Sequence, residues 1–102
     1  MFDSLRSWMD VPITVKPFLR RSGTGEAEYG TEIVIKCYPK AEAVVITNKA
    51  GAEVKSGTQL YVDGVTKVDE QDSIIFEGNE RTVRAVTSFY RGGVPDIKVV
   101  YL

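Results

Sequence analysis

The fold of this chain is decided by residues 51–102, which read GAEVKSGTQLYVDGVTKVDEQDSIIFEGNERTVRAVTSFYRGGVPDIKVVYL. Short runs of β-branched and aromatic residues, among them residues 81–90, alternate there with turn pairs. Asp63-Gly64 suits a turn with a positive φ, and Gly92-Gly93 suits the final hairpin. With the strands upstream, this spacing predicts an all-β fold, a small antiparallel β-barrel of about six or seven short strands.

Length and composition indicate one domain, residues 1–102, with a hydrophobic content of 43% and a charged content of 26%. A net charge of −1 gives no basic excess of the kind that drives binding to phosphate backbones. No apolar run approaches the roughly 20 residues of a membrane span, and no signal-peptide pattern is present. We therefore expect no membrane association and a cytoplasm-like compartment.

The residue types do not favour catalysis or metal binding. Cys37 is the only cysteine, and the chain has no histidine. A zinc site would need further cysteine or histidine ligands, and a nucleophilic cysteine usually needs a histidine base. We expect no enzymatic activity, no catalytic residue, no metal and no cofactor, and we interpret Cys37 as a small buried hydrophobe.

Three further strands are predicted upstream. The first spans Ile13–Arg20, and Pro17 places it at an edge or a bulge because proline cannot donate to a ladder. Glu32–Tyr38 alternates in polarity and is expected to end at Pro39, and Ala43–Thr47 is rich in β-branched residues.

A short helical turn is predicted at the N-terminus, where Ser4 caps a segment that carries Leu5, Trp8 and Met9. Two interpretations remain open for this turn. Trp8 and Met9 contact a partner, or the turn is a lid over the open end of the barrel.

Residues 21–31 contain three glycines and almost no apolar side chains, so they predict one long loop. Loops of this length in small domains are usually functional or disordered. The segment either projects into a channel or against a neighbour, or it is a mobile solvent loop.

Two charged groups of residues are candidate sites. Asp69, Glu70 and Asp72 lack the glycine and the distal glutamate of a Ca²⁺ loop, so a polar loop before a buried strand explains them better. A basic patch beside aromatic residues would suit an oligonucleotide-binding barrel, but the acidity of the chain argues against it. That patch would comprise Arg20, Arg21, Arg81, Arg84 and Arg91 with Phe89 and Tyr90.

A series of strand and turn motifs follows a characteristic order along the chain. The motifs are Tyr29-Gly30, Ile33-Val34-Ile35-Lys36, Gly51-x-Glu53-Val54-x-Ser56, Leu60-Tyr61-Val62-Asp63-Gly64, Asp72-x-Ile74, Gly78, Arg81-Thr82-Val83-x-x-Val86 and Ile97-Lys98-Val99-Val100-Tyr101-Leu102. From about Ile13 to Leu102, their order resembles the head-closure (stopper) proteins of long-tailed bacteriophages, also described as head-tail joining or minor capsid proteins. Many relatives carry a histidine before the last strand, but Val94-Pro95-Asp96 has none.

The resemblance implies a structural virion protein at the head-tail interface, made in the host cytoplasm. Such a protein closes the connector after DNA packaging, retains the genome and provides the surface to which the tail attaches. Its implied partners are a homo-oligomeric ring of its own copies (six or twelve), the connector adaptor or portal, the tail terminator or tail-completion protein, and the packaged double-stranded DNA in the channel.

The resemblance also implies that a loop points into the DNA channel, and residues 20–30 are the candidate. Its named residues are Arg20, Arg21, Gly23, Gly25, Glu26, Glu28, Tyr29 and Gly30. The glutamates would repel phosphates, the arginines at the base would attract them, and the glycines would let the loop fold back. The Lys49–Thr58 turn is the alternative gate. Two other functions remain open: a nucleic-acid-binding β-barrel, and another neck ring component such as the tail terminator.

Overall fold

The computed structural model describes residues 9–102, and they form an antiparallel all-β fold, as predicted. The predicted N-terminal helical turn lies outside the described residues apart from Met9, which is not in a helix. The strands are β1 (Val11–Lys16), β2 (Phe18–Arg21), β3 (Ala27–Tyr29), β4 (Ile33–Thr47), β5 (Glu53–Asp63), β6 (Ser73–Phe76), β7 (Asn79–Thr82), β8 (Ala85–Arg91) and β9 (Val94–Tyr101).

Seven of these strands form the main sheet, in the order β7-β6-β1-β4-β5-β9-β8, and β2 pairs with β3 in a separate hairpin. The long strand β4 belongs to both halves of the main sheet. Its residues 33–37 pair with β1, and its residues from Tyr38 to Thr47 pair with β5. One strand therefore joins the two halves by exchanging one neighbour for another.

The prediction that Pro39 ends a strand was wrong, because β4 continues through it and Pro39 lies opposite Leu60. Pairing with β1 has stopped at Cys37, so within residues 9–102 β4 has one strand neighbour at Pro39, namely β5. A strand with a single neighbour has alternate N–H groups outside the ladder, and such a position tolerates a residue without an N–H.

A β-bulge follows in the same strand. Between the pairs Ala41–Thr58 and Val44–Ser56, two residues of β4 face the single Gly57 of β5. The buried side chain of Gln59 donates from Nε2 to the Glu42 carbonyl at 2.8 Å, so the bulged backbone keeps a hydrogen-bond partner. The bulge increases the local twist and lets the β4–β5 hairpin bend.

The sheet differs from a closed barrel, because no ladder pairing joins β7 to β8 in the described residues. Residues 81–90 are therefore two strands, separated by Val83 and Arg84. The Val83 amide donates to the Asp72 carbonyl at 2.8 Å, and the Arg84 amide donates to the Tyr101 carbonyl at 2.8 Å. Each residue of this link bonds to a different half of the sheet, so the link connects the two open ends.

The turn at Gly92-Gly93 matches its prediction, and Glu77-Gly78 forms a second tight turn of the same type. Glu77-Gly78 joins β6 to β7 with φ values of 52° and 77°, and Gly92-Gly93 joins β8 to β9 with 61° and 79°. Two consecutive positive φ values define the type I′ turn, whose twist matches that of the strands that it joins.

Gly64 is required for a different reason from the one predicted. Its φ is not positive, but a Cβ atom there would lie 2.6 Å from the carbonyl carbon of Pro95 and 2.7 Å from the backbone of Asp96. The Gly64 amide donates to the Asp96 carbonyl at 3.0 Å. Glycine permits this close approach between the end of β5 and the start of β9.

The core is one cluster to which both halves of the sheet contribute. It contains Ile13, Val15, Cys37, Leu60, Val62, Val68, Ile74, Phe76, Val83, Val100 and Leu102. Cys37 is fully buried, which confirms its interpretation as a small hydrophobe. Each fully buried aliphatic side chain contributes about 1.5–3 kcal/mol to stability.

We expect the substitution Gly64→Ala to lower the free energy of unfolding by about 1–3 kcal/mol, because the new methyl group overlaps the β9 backbone. Gly57→Ala is the matched control, since its Cβ meets nothing within 4 Å and its φ is not positive. Urea denaturation of both variants measures the difference. Equal midpoints for the two variants would contradict the close approach at Gly64.

Candidate functional site

The candidate channel loop is a β-hairpin, which corrects the prediction of one long loop. The pairs Phe18–Tyr29 and Arg21–Ala27 delimit it. The Ser22 amide donates to the Glu26 carbonyl at 2.7 Å, and Gly25 has a φ of 88°. Only five residues, 22–26, form the turn, because cross-strand pairing orders the rest of the segment.

Three charged side chains of the hairpin, those of Arg20, Arg21 and Glu28, contact the hairpin itself. Arg20 Nε lies 2.8 Å from Glu28 Oε2, and Arg21 Nη1 donates to the Gly25 carbonyl at 3.2 Å. The Arg21 guanidinium also lies 5.9 Å from the centre of the Phe18 ring. The Arg20–Glu28 pair balances one positive charge with one negative charge, so these two residues do not act as separate attracting and repelling groups.

The base of the hairpin is held to the main sheet by hydrogen bonds. The Phe18 amide donates to Asp72 Oδ1 at 2.8 Å, and the Gly30 amide donates to the Pro17 carbonyl at 2.7 Å. Phe18 and Tyr29 contact edge to face, with ring centres 6.2 Å apart. Of the three glycines predicted to let the segment fold back, only Gly25 has a positive φ.

The sequence pattern assigns Asp72 to a polar loop and misses its structural role. Asp72 is 7% exposed, and its second oxygen, Oδ2, accepts from the Asp69 amide at 2.9 Å. One carboxylate thus bridges the base of the hairpin and the turn at residues 69–72. The signal in the sequence is that Asp72 directly precedes an apolar strand. A carboxylate in that position is buried, and a buried carboxylate needs hydrogen-bond donors such as backbone amides.

The other two acidic residues of the 69–72 turn bind the turn between β4 and β5. Lys49 Nζ lies 2.6 Å from Asp69 Oδ2, and the Lys49 amide donates to Glu70 Oε2 at 2.8 Å. Burial raises the pKa of Asp69, but hydrogen bonds from Lys49 and from the Glu70 amide lower it, and the net shift is downward. In residues 9–102, no group of three or more potential ligands is placed to hold a metal ion.

The predicted basic patch is not assembled as one surface. Arg84 precedes the first residue of β8, whereas Phe89, Tyr90 and Arg91 lie at its far end. At about 3.3 Å per residue, that separation is roughly 20 Å. Arg81 and Arg84 instead lie near Lys55, whereas Arg20 and Arg21 belong to the separate hairpin.

The second candidate site, a partner contact, is described only in part. Met9 is half-buried and lines a shallow depression with Ile35, Lys36, Asp63 and Thr66. Trp8 lies outside the described residues, so the partner contact stays a prediction. The described part of the chain contains no helix long and apolar enough to cross a membrane.

The sequence matches no protein-family model and no curated protein. Among solved structures, the chain is similar to the phage-like element PBSX protein xkdH from Bacillus subtilis. The TM-score is 0.47 and the identity 12%, over 89% of this chain and 92% of that chain. At these values, the similarity does not assign a family or a function.

We expect Asp72→Ala to lower the free energy of unfolding by about 1–3 kcal/mol, because two backbone amides lose their acceptor. Asp72→Asn is the matched variant, since it keeps one carbonyl oxygen and should show a smaller loss. Hydrogen–deuterium exchange at the Phe18 amide measures the local effect. A Phe18 amide that stays fully protected in Asp72→Ala would contradict the bridging role.

Burial raises the pKa of Cys37 to about 11, above its usual 9.0. Between those values, the folded chain retains a proton that the unfolded chain has lost, so stability falls as the pH rises from 9 to 11. The loss is about 2–3 kcal/mol for a shift of this size. Urea midpoints of the native chain and of Cys37→Ala across this range measure it. The same pH dependence in both proteins would contradict this assignment.

Proposed function

We propose that this chain is a structural protein of the neck of a long-tailed phage, located in the virion at the head-tail interface. It closes the connector after packaging, retains the genome and presents the surface to which the tail attaches. The resemblance of its motif order over Ile13–Leu102 supports this role, and the observation that carries it is the β2–β3 hairpin outside the main sheet.

The β2–β3 hairpin suits a channel element better than the predicted Lys49–Thr58 turn, which the structure reduces to residues 48–52 because Glu53–Thr58 belong to β5. The base of the hairpin is fixed by Asp72, whereas, among residues 9–102, the side chains of Arg20 and Arg21 bond within the hairpin. The competing turn is bound to the 69–72 turn through the side chain and the amide of Lys49. An element held at its base with an exposed tip can project from a ring towards the centre of a channel.

The edges of the main sheet suit assembly into a ring. All four residues of β7, Asn79–Thr82, are exposed and lie at one edge of the sheet, and β8 lies at the other edge. Unpaired edges offer backbone groups to a neighbouring chain. We propose that copies of the chain assemble through these edges into a ring, in which many modest contacts make a durable joint.

The proposed heterologous partners are the connector adaptor or portal on the head side and the tail terminator or tail-completion protein on the tail side. The tip of the β8–β9 hairpin is a candidate contact, since Tyr90 is 65% exposed and Val94 is 59% exposed. Exposed apolar side chains at a hairpin tip favour burial against a partner. In this role the chain has no catalytic step and needs no cofactor.

Complementation tests the proposed function in a phage whose genome encodes this chain. Blocking its production should give heads that lose DNA beside unattached tails, and adding the purified protein should restore joined particles. Electron microscopy of the particles is the measurement. Normal joined virions without the protein would overturn the proposed function.

Two matched deletions test the hairpin. Replacing residues 22–26 by Asn-Gly shortens the β2–β3 turn by three residues and keeps the pair Arg21–Ala27. Replacing residues 48–52 by Asn-Gly shortens the β4–β5 turn equally and keeps the pair Thr47–Glu53. We expect DNA leakage from filled heads with the first variant only. Leakage with the second variant only would assign the gate to the β4–β5 turn, and leakage with neither would exclude both.

A further inference from the structure

A positively charged groove lies where the two halves of the sheet meet, and we call it the seam groove. It has a volume of about 600 Å³ and is lined by Lys55, Gly57, Arg81, Thr82, Arg84 and Leu102. The Leu102 amide donates to the Thr58 carbonyl at 3.0 Å, so Leu102 is held beside β5. The groove is therefore lined by β5, β7, Arg84 and Leu102, and not by one loop.

The charge of the seam groove is opposite in sign to that of the chain. Lys55, Arg81 and Arg84 are exposed, and no aspartate or glutamate among the described residues lines the groove. Elsewhere, Lys16, Arg20, Lys40 and Lys49 each pair with a carboxylate within 3.0 Å. No such pair forms for the three groove cations in the described part of the chain.

Both guanidinium groups are oriented by neutral acceptors. Arg84 Nη1 donates to the Lys55 carbonyl at 3.2 Å, and Arg81 Nη1 donates to the hydroxyl oxygen of Thr58 at 3.4 Å. A guanidinium has five N–H donors, so most of them are left for a ligand. Neutral acceptors orient these groups without cancelling their charge, which is the arrangement that an anion site needs.

The floor of the groove is open to a bulky ligand. A Cβ atom at Gly57 would meet nothing within 4 Å, and this glycine is the residue that faces the bulge in β4. Since Gly57 also lines the groove, the missing side chain leaves open space at this position of the lining. An extended anionic polymer can therefore approach the groove closely.

We propose that the seam groove binds phosphate groups of a nucleic-acid backbone, through Arg81 and Arg84 as hydrogen-bonding forks and Lys55 as a point charge. Guanidinium forks match the oxygens of phosphate in a bidentate manner. The choice of duplex DNA as the source of the phosphate rests on the proposed function, which places the chain beside a DNA channel. Contacts to the backbone alone imply binding without sequence preference.

Amide chemical shifts of the ¹⁵N-labelled chain, followed during titration at low salt, localise even weak binding. The probes are a 12-base-pair DNA duplex, inorganic phosphate and a hexaglutamate peptide. We expect the duplex to shift the amides of Gly57, Thr82 and Arg84 and to bind more tightly than the other two probes. With two or three phosphate contacts, raising the salt fourfold should weaken duplex binding by about 10- to 40-fold.

Two charge reversals form a matched pair for this titration. Lys55→Glu places a carboxylate in the groove, and Lys67→Glu makes the same change at an exposed lysine that does not line it. We expect Lys55→Glu to weaken duplex binding by about tenfold or more and Lys67→Glu by much less. The interaction between a phosphate and a charge next to it is stronger than the interaction with a distant charge, which salt screens. The two spectra and urea midpoints establish that both variants fold.

Several outcomes would overturn the assignment. Chemical-shift changes only at amides outside the groove would show that the duplex does not bind there. Equal effects of Lys55→Glu and Lys67→Glu would show the same. Tighter binding of hexaglutamate would assign the groove to an acidic protein, and binding of inorganic phosphate without binding of the duplex would exclude DNA. The titration needs neither ring nor phage, so its failure leaves the complementation result standing, and a failed complementation leaves the titration standing.

Discussion

One strand that changes its neighbour controls the rest of this structure. The first part of β4 pairs with β1, its second part pairs with β5, and Pro39 lies where it has a single neighbour. The bulge opposite Gly57 bends the second part of the strand, because an extra residue on one side of a ladder increases twist. Val83 and Arg84 link the two open ends of the sheet, because each bonds to a different half. Residues of both halves form the shared core.

Polar side chains lie where the ladder is interrupted, and they satisfy the backbone there. Gln59 accompanies the bulge, and Asp72 accepts the amides of Phe18 and Asp69 where β1 gives way to the β2–β3 hairpin. A buried amide or carbonyl without a partner costs about 1–3 kcal/mol, so these contacts stabilise breaks in an otherwise regular sheet. The two features with candidate functions, the hairpin and the seam groove, both lie at such breaks.

The distribution of charged side chains over the surface, and not the net charge, decides whether this protein has a surface that suits phosphates. A net charge of −1 argued against a surface for phosphates, but several acidic side chains form local ion pairs, such as Arg20–Glu28 and Lys49–Asp69. In the seam groove, Lys55, Arg81 and Arg84 lie together, and none of the described residues that line it is an aspartate or a glutamate. Composition gives the sum of the charges, and only strand pairing decides which of them become neighbours.

The sequence by itself determined the local features of this protein: antiparallel strands, the turns at Glu77-Gly78 and Gly92-Gly93, and the burial of Cys37. Alternating polarity and turn residues act over a few positions, so neighbouring residues in the sequence are enough to predict these features. Only the tertiary structure decided that β4 continues through Pro39, that residues 18–29 pair as a hairpin, and that Gly64 is required for close packing. Pro39 and Gly64 face strands that are distant in sequence, and the base of the hairpin is fixed by Asp72, 54 residues beyond Phe18. No local pattern contains the hydrogen bonds and steric demands of such distant residues.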